Sequence, residues 1–289
     1  MVDKIFIPTC NRVDSQITYD NLPDVLKEKV CMVVQAWERD QYTYPCEYMV
    51  LPDTDEYHFS HYYCMAKTRK LIYEAGQDMT YAVIDDDLLF GRRNAKYWNG
   101  GESTQEMSKR KCTHDDTLEM FDRYDEWLDV PGVTICGCGH DENAPSGREF
   151  ATNTSLGSAL WINGKDFKDE LPDLDLVNVR IGEDTYFILQ MLSRGYGNRV
   201  SQEFIFYNQS VKKKKLIKSD IWDTQSFEDT HRDHKYIASK FPDTFKILYD
   251  ENGERVKGGF RNCGKLSIMW TKTFKPKTVS LEELFNDQQ

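Results

Sequence analysis

Apolar positions along the chain follow two periods, near two in some stretches and near 3.6 in others, and the switches between them mark its elements. Lys4–Pro8 alternates apolar residues and stops at Pro, which predicts a first strand followed by a loop at Thr9–Arg12. Leu22–Lys29 carries helix formers behind Pro23, and Val30–Gln35 (VCMVVQ) is a continuous apolar run of the kind seen in strands buried on both faces. Together they predict a βαβ unit. Tyr48–Leu51 reads as a third strand ahead of Pro52 and Asp53, and His61–Ala75, closed by Gly76, as a helix. Thr80–Ile84 then makes a fourth strand, whose end delivers Asp85, Asp86 and Asp87.

Farther along, Thr117–Leu128 reads as a helix with Thr117 as its N-cap, Gly132–Cys138 as a strand, and Gly139–Asn153 as a long aperiodic loop. Leu156–Ile162 predicts a strand, Glu183–Arg194 a helix closed by Gly195, and Val200–Tyr207 another strand. From Lys212 the pattern loosens to a helix at His231–Lys240 and a strand pair around Asp250–Gly253. Strands that alternate with helices predict the α/β class. The expectation is a Rossmann-like mixed sheet flanked by helices over residues 1–210, with a C-terminal appendage over 211–289.

Composition narrows the classes. With 289 residues, 39% of them hydrophobic and 13% aromatic, the chain has enough apolar material for one large core and is not a disordered protein. Its opening lacks a basic segment followed by an apolar stretch, and no run approaches the roughly 20 apolar residues of a bilayer span, which predicts a soluble cytoplasmic protein without a membrane partner. Eight scattered cysteines read as reduced thiols. Cys136 and Cys138 could form half of a zinc site, but without a second Cys/His pair, alternation within a strand is the better reading. The net charge of −11 excludes a protein that wraps nucleic acid over its whole surface. Two local basic clusters remain: Lys212, Lys213, Lys214, Lys215 and Lys218, and a second group of Arg92, Arg93, Lys109, Arg110 and Lys111. Each is either a solvated charged loop or a phosphate-binding face, and Tyr97 and Trp98 beside the second add the aromatics that a nucleic-acid face would use.

The triple aspartate carries the chemistry. Three consecutive carboxylates after a buried strand raise one another's pKa, and a divalent cation removes that cost. Mg²⁺ or Mn²⁺ prefers oxygen ligands and commonly shares one or two carboxylates with substrate phosphates. The bland alternative is an acidic turn.

The segment IPTCNR (Ile7–Arg12) resembles the nucleotide-binding opening of family-two-like GT-A glycosyltransferases, AKTRKLIYEAG (Ala66–Gly76) resembles their Ala-Arg-containing helix, YAVIDDDLLF their strand and Asp-x-Asp, and Gly182-Glu183-Asp184 the Glu-Asp pair that supplies the catalytic base. A broader resemblance, from IPTCNRVDSQITYDNLP to GGFRNCGKLSIMWTK, is to the phage-borne TET-associated glycosyltransferases, which are thought to decorate hydroxymethylated pyrimidines in DNA. The resemblance implies a GT-A fold, a UDP-sugar donor, Mn²⁺ or Mg²⁺, and 5-hydroxymethylcytosine or 5-hydroxymethyluracil in DNA as acceptor, in the host cytoplasm if the gene is phage-borne. It also implies roles: Pro8, Thr9 and Arg12 line the nucleotide pocket with Asp53 near the base, and Arg69 faces the diphosphate. Asp85 meets the ribose or sugar, Asp86 belongs to the same nucleotide-sugar site, Asp87 with Asp85 takes the metal, and Asp184 beside Glu183 deprotonates the acceptor hydroxyl. His234, paired with His231 as H-x-x-H, would be a distal metal ligand.

Rival readings stay open. Arg12 and Arg69 could be surface ion pairs, Glu183 and Asp184 could simply favour a helix N-terminus, and the histidines could be a surface pair. A sugar-phosphate nucleotidylyltransferase would need a Gly-rich phosphate loop, which IPTCNRVDS does not offer. A transferase acting on polysaccharide, lipid carrier or protein would use the same site. A non-catalytic nucleic-acid-binding protein would explain the basic clusters but not the carboxylates.

Overall fold

The computed structural model describes residues 1–58, 60–61, 63–94, 109–142, 148–208, 227–249, 252–254 and 265–276. Its first four strands, β1 (Lys4–Pro8), β2 (Val30–Val34), β3 (Glu47–Val50) and β4 (Thr80–Ile84), run parallel in the order β3-β2-β1-β4. Five helices accompany the sheet: α1 (Ile17–Asn21), α2 (Asp24–Lys27), α3 (Cys64–Ala75), α4 (His114–Leu128) and α5 (Glu183–Ser193). Alternate residues of β1 and β4 face opposite ways, as a pleated strand requires. Ile5, Ile7, Ala82 and Ile84 join a core with Tyr19, Leu26, Phe121 and Tyr124, whereas Phe6, Tyr81 and Val83 join a second one with Ile72, Tyr73 and Phe187. Both faces of the sheet are therefore covered by helices. The fold is the mixed α/β, Rossmann-like arrangement that the pattern predicts.

Six further strands complete the sheet: β5 (Leu88–Arg93), β6 (Lys109–Lys111), β7 (Val133–His140), β8 (Phe150–Thr152), β9 (Ala159–Asn163) and β10 (Gly197–Asn208). β9 lies antiparallel between β4 and β7. β10 pairs in parallel with β7 and antiparallel with β5, which carries β6 at the edge, while β8 pairs with β10. β4 and β5 are consecutive in the chain, joined only by Asp85, Asp86 and Asp87, yet β9, β7 and β10 separate them in the sheet. Four spacings of about 4.8 Å come to roughly 19 Å, more than the roughly 14 Å that four residue steps can reach. The sheet must therefore curl, and β10 supplies the bend in a register shift between Ser201 and Ile205.

Local physics moved some boundaries. The helix expected at Leu22–Lys29 is only Asp24–Lys27, preceded by the separate α1, because Pro23 is extended at φ −56° and ψ 147°. The N-cap of α4 is Thr113 rather than Thr117: Thr113 Oγ1 accepts the Asp116 N–H (3.1 Å) and the Asp116 carboxylate accepts the Thr113 N–H (2.8 Å). That capping box starts the helix nearly a turn earlier. The stretch expected to be a loop from Gly139 to Asn153 contains the end of β7 and all of β8. The strand expected from Leu156 begins at Ala159, after Ser158 turns the chain at φ 57°. β5 and β6 were not foreseen. Cys136 and Cys138 lie on one buried face of β7, so the C-x-C is strand alternation, and the seven described cysteines are all free thiols.

The C-terminal residues add α6 (Phe227–Lys240), β11 (Phe245–Ile247), β12 (Leu266–Ile268) and α7 (Trp270–Thr273). β11 pairs with β12, and the strand pair expected around Asp250–Gly253 falls partly on Asp250 and Glu251, which lie outside the described residues. Ile237 and Phe245 share a small core with Val179, Tyr186 and Leu189, and the Tyr186 and Tyr236 hydroxyls both donate to Asp175. The described C-terminal residues thus pack on α5. Among the described residues no helix is long and apolar enough to cross a membrane.

Candidate active site

The sheet order reverses between β1, which leads outward to β2, and β4, which leads to β9. A crevice opens at the carboxyl ends of strands at such a switch point. Two loops meet there, Thr9–Arg12 after β1 and Asp85–Asp87 after β4. Thr18 at the start of α1 straps the second: its N–H donates to Asp86 O (3.0 Å), its hydroxyl to Asp85 O (2.5 Å), and its oxygen accepts the Leu88 N–H (2.9 Å). The side chains of the first loop then close on Asp86. Thr9 Oγ1 donates to Asp86 Oδ2 (2.6 Å), Arg12 pairs with Asp86 and, at 3.3 Å, with Asp87, and Gln16 donates to Thr9 Oγ1 (2.8 Å). Pro8 is the buried last residue of β1. Beneath the loop, fully buried Glu38 accepts the Asn11 N–H (2.9 Å), with Asn11 at φ 57°.

Arg69 joins this half of the site to the other. From α3 it donates through Nε to Glu183 Oε1 (3.2 Å) and through Nη2 to Asp85 Oδ1 (3.3 Å), with 6% of its side chain exposed. Its Nη1 and the Tyr73 hydroxyl are both buried, and Arg69 acts on the Tyr73 hydroxyl against the upward push of burial. Arg69, expected to face a diphosphate, is therefore a buried clamp between two carboxylates. Glu183 and Asp184 open α5 behind Gly182, whose φ of 81° glycine adopts without strain. Asp184 lies against Gly157, where a Cβ would sit 2.1 Å from Asp184 Oδ2, and Ser158 O accepts the Asp85 N–H (2.8 Å).

Five carboxylates thus gather with two guanidiniums. Burial, reinforced by Asp87 and Asp85, pushes Asp86 up to about 7 against the opposing pull of Arg12 and Thr9. Burial likewise raises Asp85 against Arg69, and burial together with Asp184 raises Glu183. Burial works against the charges of Arg12 and Arg69, but the neighbouring carboxylates together outweigh it, Asp86 and Asp87 at Arg12 and Asp85 and Glu183 at Arg69, so both pKa values move up. This surplus of negative oxygen suits a divalent cation. Among the described residues, however, no three His, Cys, Asp or Glu side chains converge into a metal cluster. A cation at Asp85 and Asp87 would take its other ligands from substrate oxygens and water, as Mg²⁺ commonly does. His234 is buried on α6 beside Phe245 (ring centroids 6.0 Å) and is not brought into such a cluster with Asp85 and Asp87. Asp53 is exposed in the turn after β3, and no described hydrogen bond or ion pair ties it to the aspartates.

The second basic cluster is paired within the fold on strands β5 and β6, although Lys109, Arg110 and Lys111 are exposed. Arg92 pairs with Asp116 (2.8 Å), Glu119 (2.6 Å) and Glu203 (2.6 Å), and Arg110 pairs with Asp116. Arg93, 5% exposed, donates to the carbonyls of Gln202 (3.0 Å) and Asp141 (3.3 Å). Lys109 bonds to Asp141 and Lys111 to Asn21. The Lys212–Lys218 cluster, Tyr97 and Trp98 lie outside the described residues. Gln16, Thr18, Glu38, Gly157 and Ser158 are site residues that the sequence did not single out. A glycine just ahead of an apolar strand was the one signal among them.

No protein-family model matches the chain, and neither does any curated protein. Similar solved structures include A197 from STIV, 12% identical with a TM-score of 0.35 over 72% of this chain and 85% of that one. A putative glucose-1-phosphate thymidylyltransferase from Bacillus anthracis in complex with a sucrose is 10% identical, with a TM-score of 0.34 over 87% of this chain and 99% of that one. At TM-scores this low neither likeness bears on what the chain does.

Proposed function

We propose that the chain is a metal-dependent glycosyltransferase of the GT-A type that moves a sugar from a UDP-sugar to a hydroxyl acceptor. The observation that carries the reading is the meeting, at one switch-point crevice, of the Asp85–Asp87 turn with the Glu183–Asp184 helix start, joined by Arg69. A merely acidic turn needs no such convergence.

In this reading Thr9, Arg12 and Gln16 shape the nucleotide side of the crevice. Arg12, with 24% of its side chain exposed, is the guanidinium placed to offset charge on the departing diphosphate. Asp85 and Asp87 would hold Mn²⁺ or Mg²⁺, which supplies further neutralisation of that leaving group when bound. Arg69 keeps Asp85 and Glu183 in fixed relation. Asp184 takes the proton from the attacking hydroxyl as its oxygen bonds the anomeric carbon and the bond to the diphosphate breaks. Attack opposite the leaving group inverts the anomeric centre.

The acceptor we propose is the hydroxymethyl group of a 5-hydroxymethylpyrimidine in DNA, most readily 5-hydroxymethylcytosine. Its support is the resemblance of the motifs at Ile7–Arg12, Ala66–Gly76, Tyr81–Phe90 and Gly182–Asp184, together with the five lysines between Lys212 and Lys218. The C-terminal appendage would then contribute acceptor binding. The test is to incubate the protein and Mn²⁺ with a panel of UDP-sugars and DNA containing 5-hydroxymethylcytosine, then weigh the released nucleosides by mass spectrometry. A hexose- or pentose-sized gain on the modified base is expected. UDP release without such a gain would move the acceptor to a polysaccharide or protein, and no UDP release with any donor would overturn the transferase.

A further inference from the structure

Helix α6 reaches the turn that leads into α5 through Asp233. Asp233 is 1% exposed, and its Oδ2 accepts the backbone N–H groups of both Arg180 (3.0 Å) and Ile181 (3.0 Å), which precede it by 53 and 52 residues. The next residue, Gly182, turns at φ 81°, and Glu183 and Asp184 follow it. Ile237, one helical turn beyond Asp233, reaches the same place: a Cβ on Gly182 would lie 3.9 Å from Ile237 Cδ1. Gly157 bounds Asp184 independently. The turn that aims Asp184 is thus fixed by a carboxylate and an apolar contact that both belong to the appendage.

The two Asp233 bonds are separate from the contacts that hold α6 to the fold, although Ile237 serves both. Tyr186 and Tyr236 meet at Asp175, and Ile237 and Phe245 pack with Val179 and Leu189. A charge-assisted bond from one oxygen to two consecutive N–H groups constrains backbone direction, which an apolar contact does loosely. We propose that Asp233 is a positioning residue for sugar transfer, holding the Arg180–Gly182 turn so that α5 presents Asp184 to the acceptor hydroxyl. The inference rests on the reading of Asp184 as the base.

The experiment compares full-length Asp233→Ala, Asp233→Asn and Tyr236→Phe with wild type, measuring kcat, donor KM, thermal midpoint and hydrogen exchange across residues 178–186. Misplacing a reacting group by about 1 Å costs on the order of 100-fold, so Asp233→Ala should lose kcat on that scale with donor KM nearly unchanged and with faster exchange at Arg180 and Ile181. Asp233→Asn, which keeps an acceptor oxygen, should recover most of the loss. Tyr236→Phe should lower the thermal midpoint and leave kcat alone. A folded Asp233→Ala protein with wild-type kcat overturns the proposal, as does an equal kcat loss in Tyr236→Phe at the same loss of thermal midpoint. If Asp233→Ala does not fold, Asp233→Glu carries the test: a large kcat loss at an unchanged midpoint supports the positioning role, and unchanged kcat overturns it. If wild type transfers no sugar from any donor, the transferase reading fails. Exchange then judges the brace alone, and unchanged protection at Arg180 and Ile181 in Asp233→Ala overturns it.

Discussion

Two clusters of charged side chains use the same residue types to opposite effect. Around β5 and α4, Arg92, Arg110 and Arg123 face Asp116, Glu119 and Glu203 at close range, with Glu149 at 4.0 Å from Arg123. Arg110 foremost, with Arg92 and Thr113, holds the Asp116 carboxyl far below its ordinary value. At the switch point, five carboxylates face Arg12 and Arg69, and burial drives Asp85, Asp86 and Glu183 upward. A cluster in which every arginine meets carboxylates and the charges nearly cancel is complete within the fold and behaves as architecture. An unbalanced one, partly buried, calls for a cation or a proton from outside, and that separates a candidate site from an ion-pair network.

Ways to break the comparison follow, from the largest expected effect down. Asp184→Asn should lower turnover by about 10²–10⁴-fold, the usual worth of a general base, with the fold intact by circular dichroism. Undiminished UDP release would return Asp184 to the role of an ordinary helix N-terminal acid. Arg69→Met leaves Asp85 and Glu183 buried without their cation and should destabilise the protein by about 3–5 kcal/mol in denaturant melts at pH 8. The loss should shrink at pH 5, where these carboxyls are more readily protonated. A pH-independent loss would point to packing rather than charge.

Asp116→Asn removes the charge that pairs with Arg92 and Arg110 while keeping an oxygen for the Thr113 N–H, and should cost about 2–4 kcal/mol while leaving turnover unchanged. Because the folded Asp116 value is depressed, its contribution is fully present above the unfolded value of about 4 and is lost as pH falls below it. The variant should therefore lose less stability than wild type between pH 5 and 2. The smallest effect concerns Asp86, whose folded value of about 7 exceeds its unfolded value. Its stabilising contribution is fully present below about pH 4 and fades as pH rises through 7. Saturation with Mn²⁺ to tenfold over its dissociation constant should restore about 1.4 kcal/mol at pH 7.5 and less at pH 5.5. An equal Mn²⁺ shift in Asp87→Asn would remove Asp87 from the proposed ligands.

Much of the frame was legible because burial on both faces leaves an unbroken apolar run. β4 falls at Thr80–Ile84 as the pattern predicts, and α5 opens at Glu183 behind a glycine. What could not be read was pairing between remote residues. Arg92 and Lys109 look like a basic face in sequence because Glu203 and Asp141, which neutralise them, come much later in the chain. Asp233 was hidden between the two histidines that drew attention, since a charged residue in a polar helix gives no sign of being buried. The β6 strand was missed because three consecutive basic residues at a sheet edge bury no apolar face to set a period. The Thr113 cap was overlooked for a different reason: its Thr-x-x-Asp signature was present, but Thr117 stood nearer the apolar run.

The link between β4 and β5 has a consequence for how the protein folds. Its three aspartates form the shortest path along the chain between strands that are distant in the sheet, and β10, at residues 197–208, must bend before β5 can seat. An emerging N-terminal half can pair β1, β2, β3 and β4 early, but the direction of the acidic link waits on a strand made more than 100 residues later. Pairing across such sequence separations is slow. Assembly of the crevice should therefore trail formation of the parallel half-sheet, and a refolding chain should gain secondary structure before it gains the ability to bind a nucleotide.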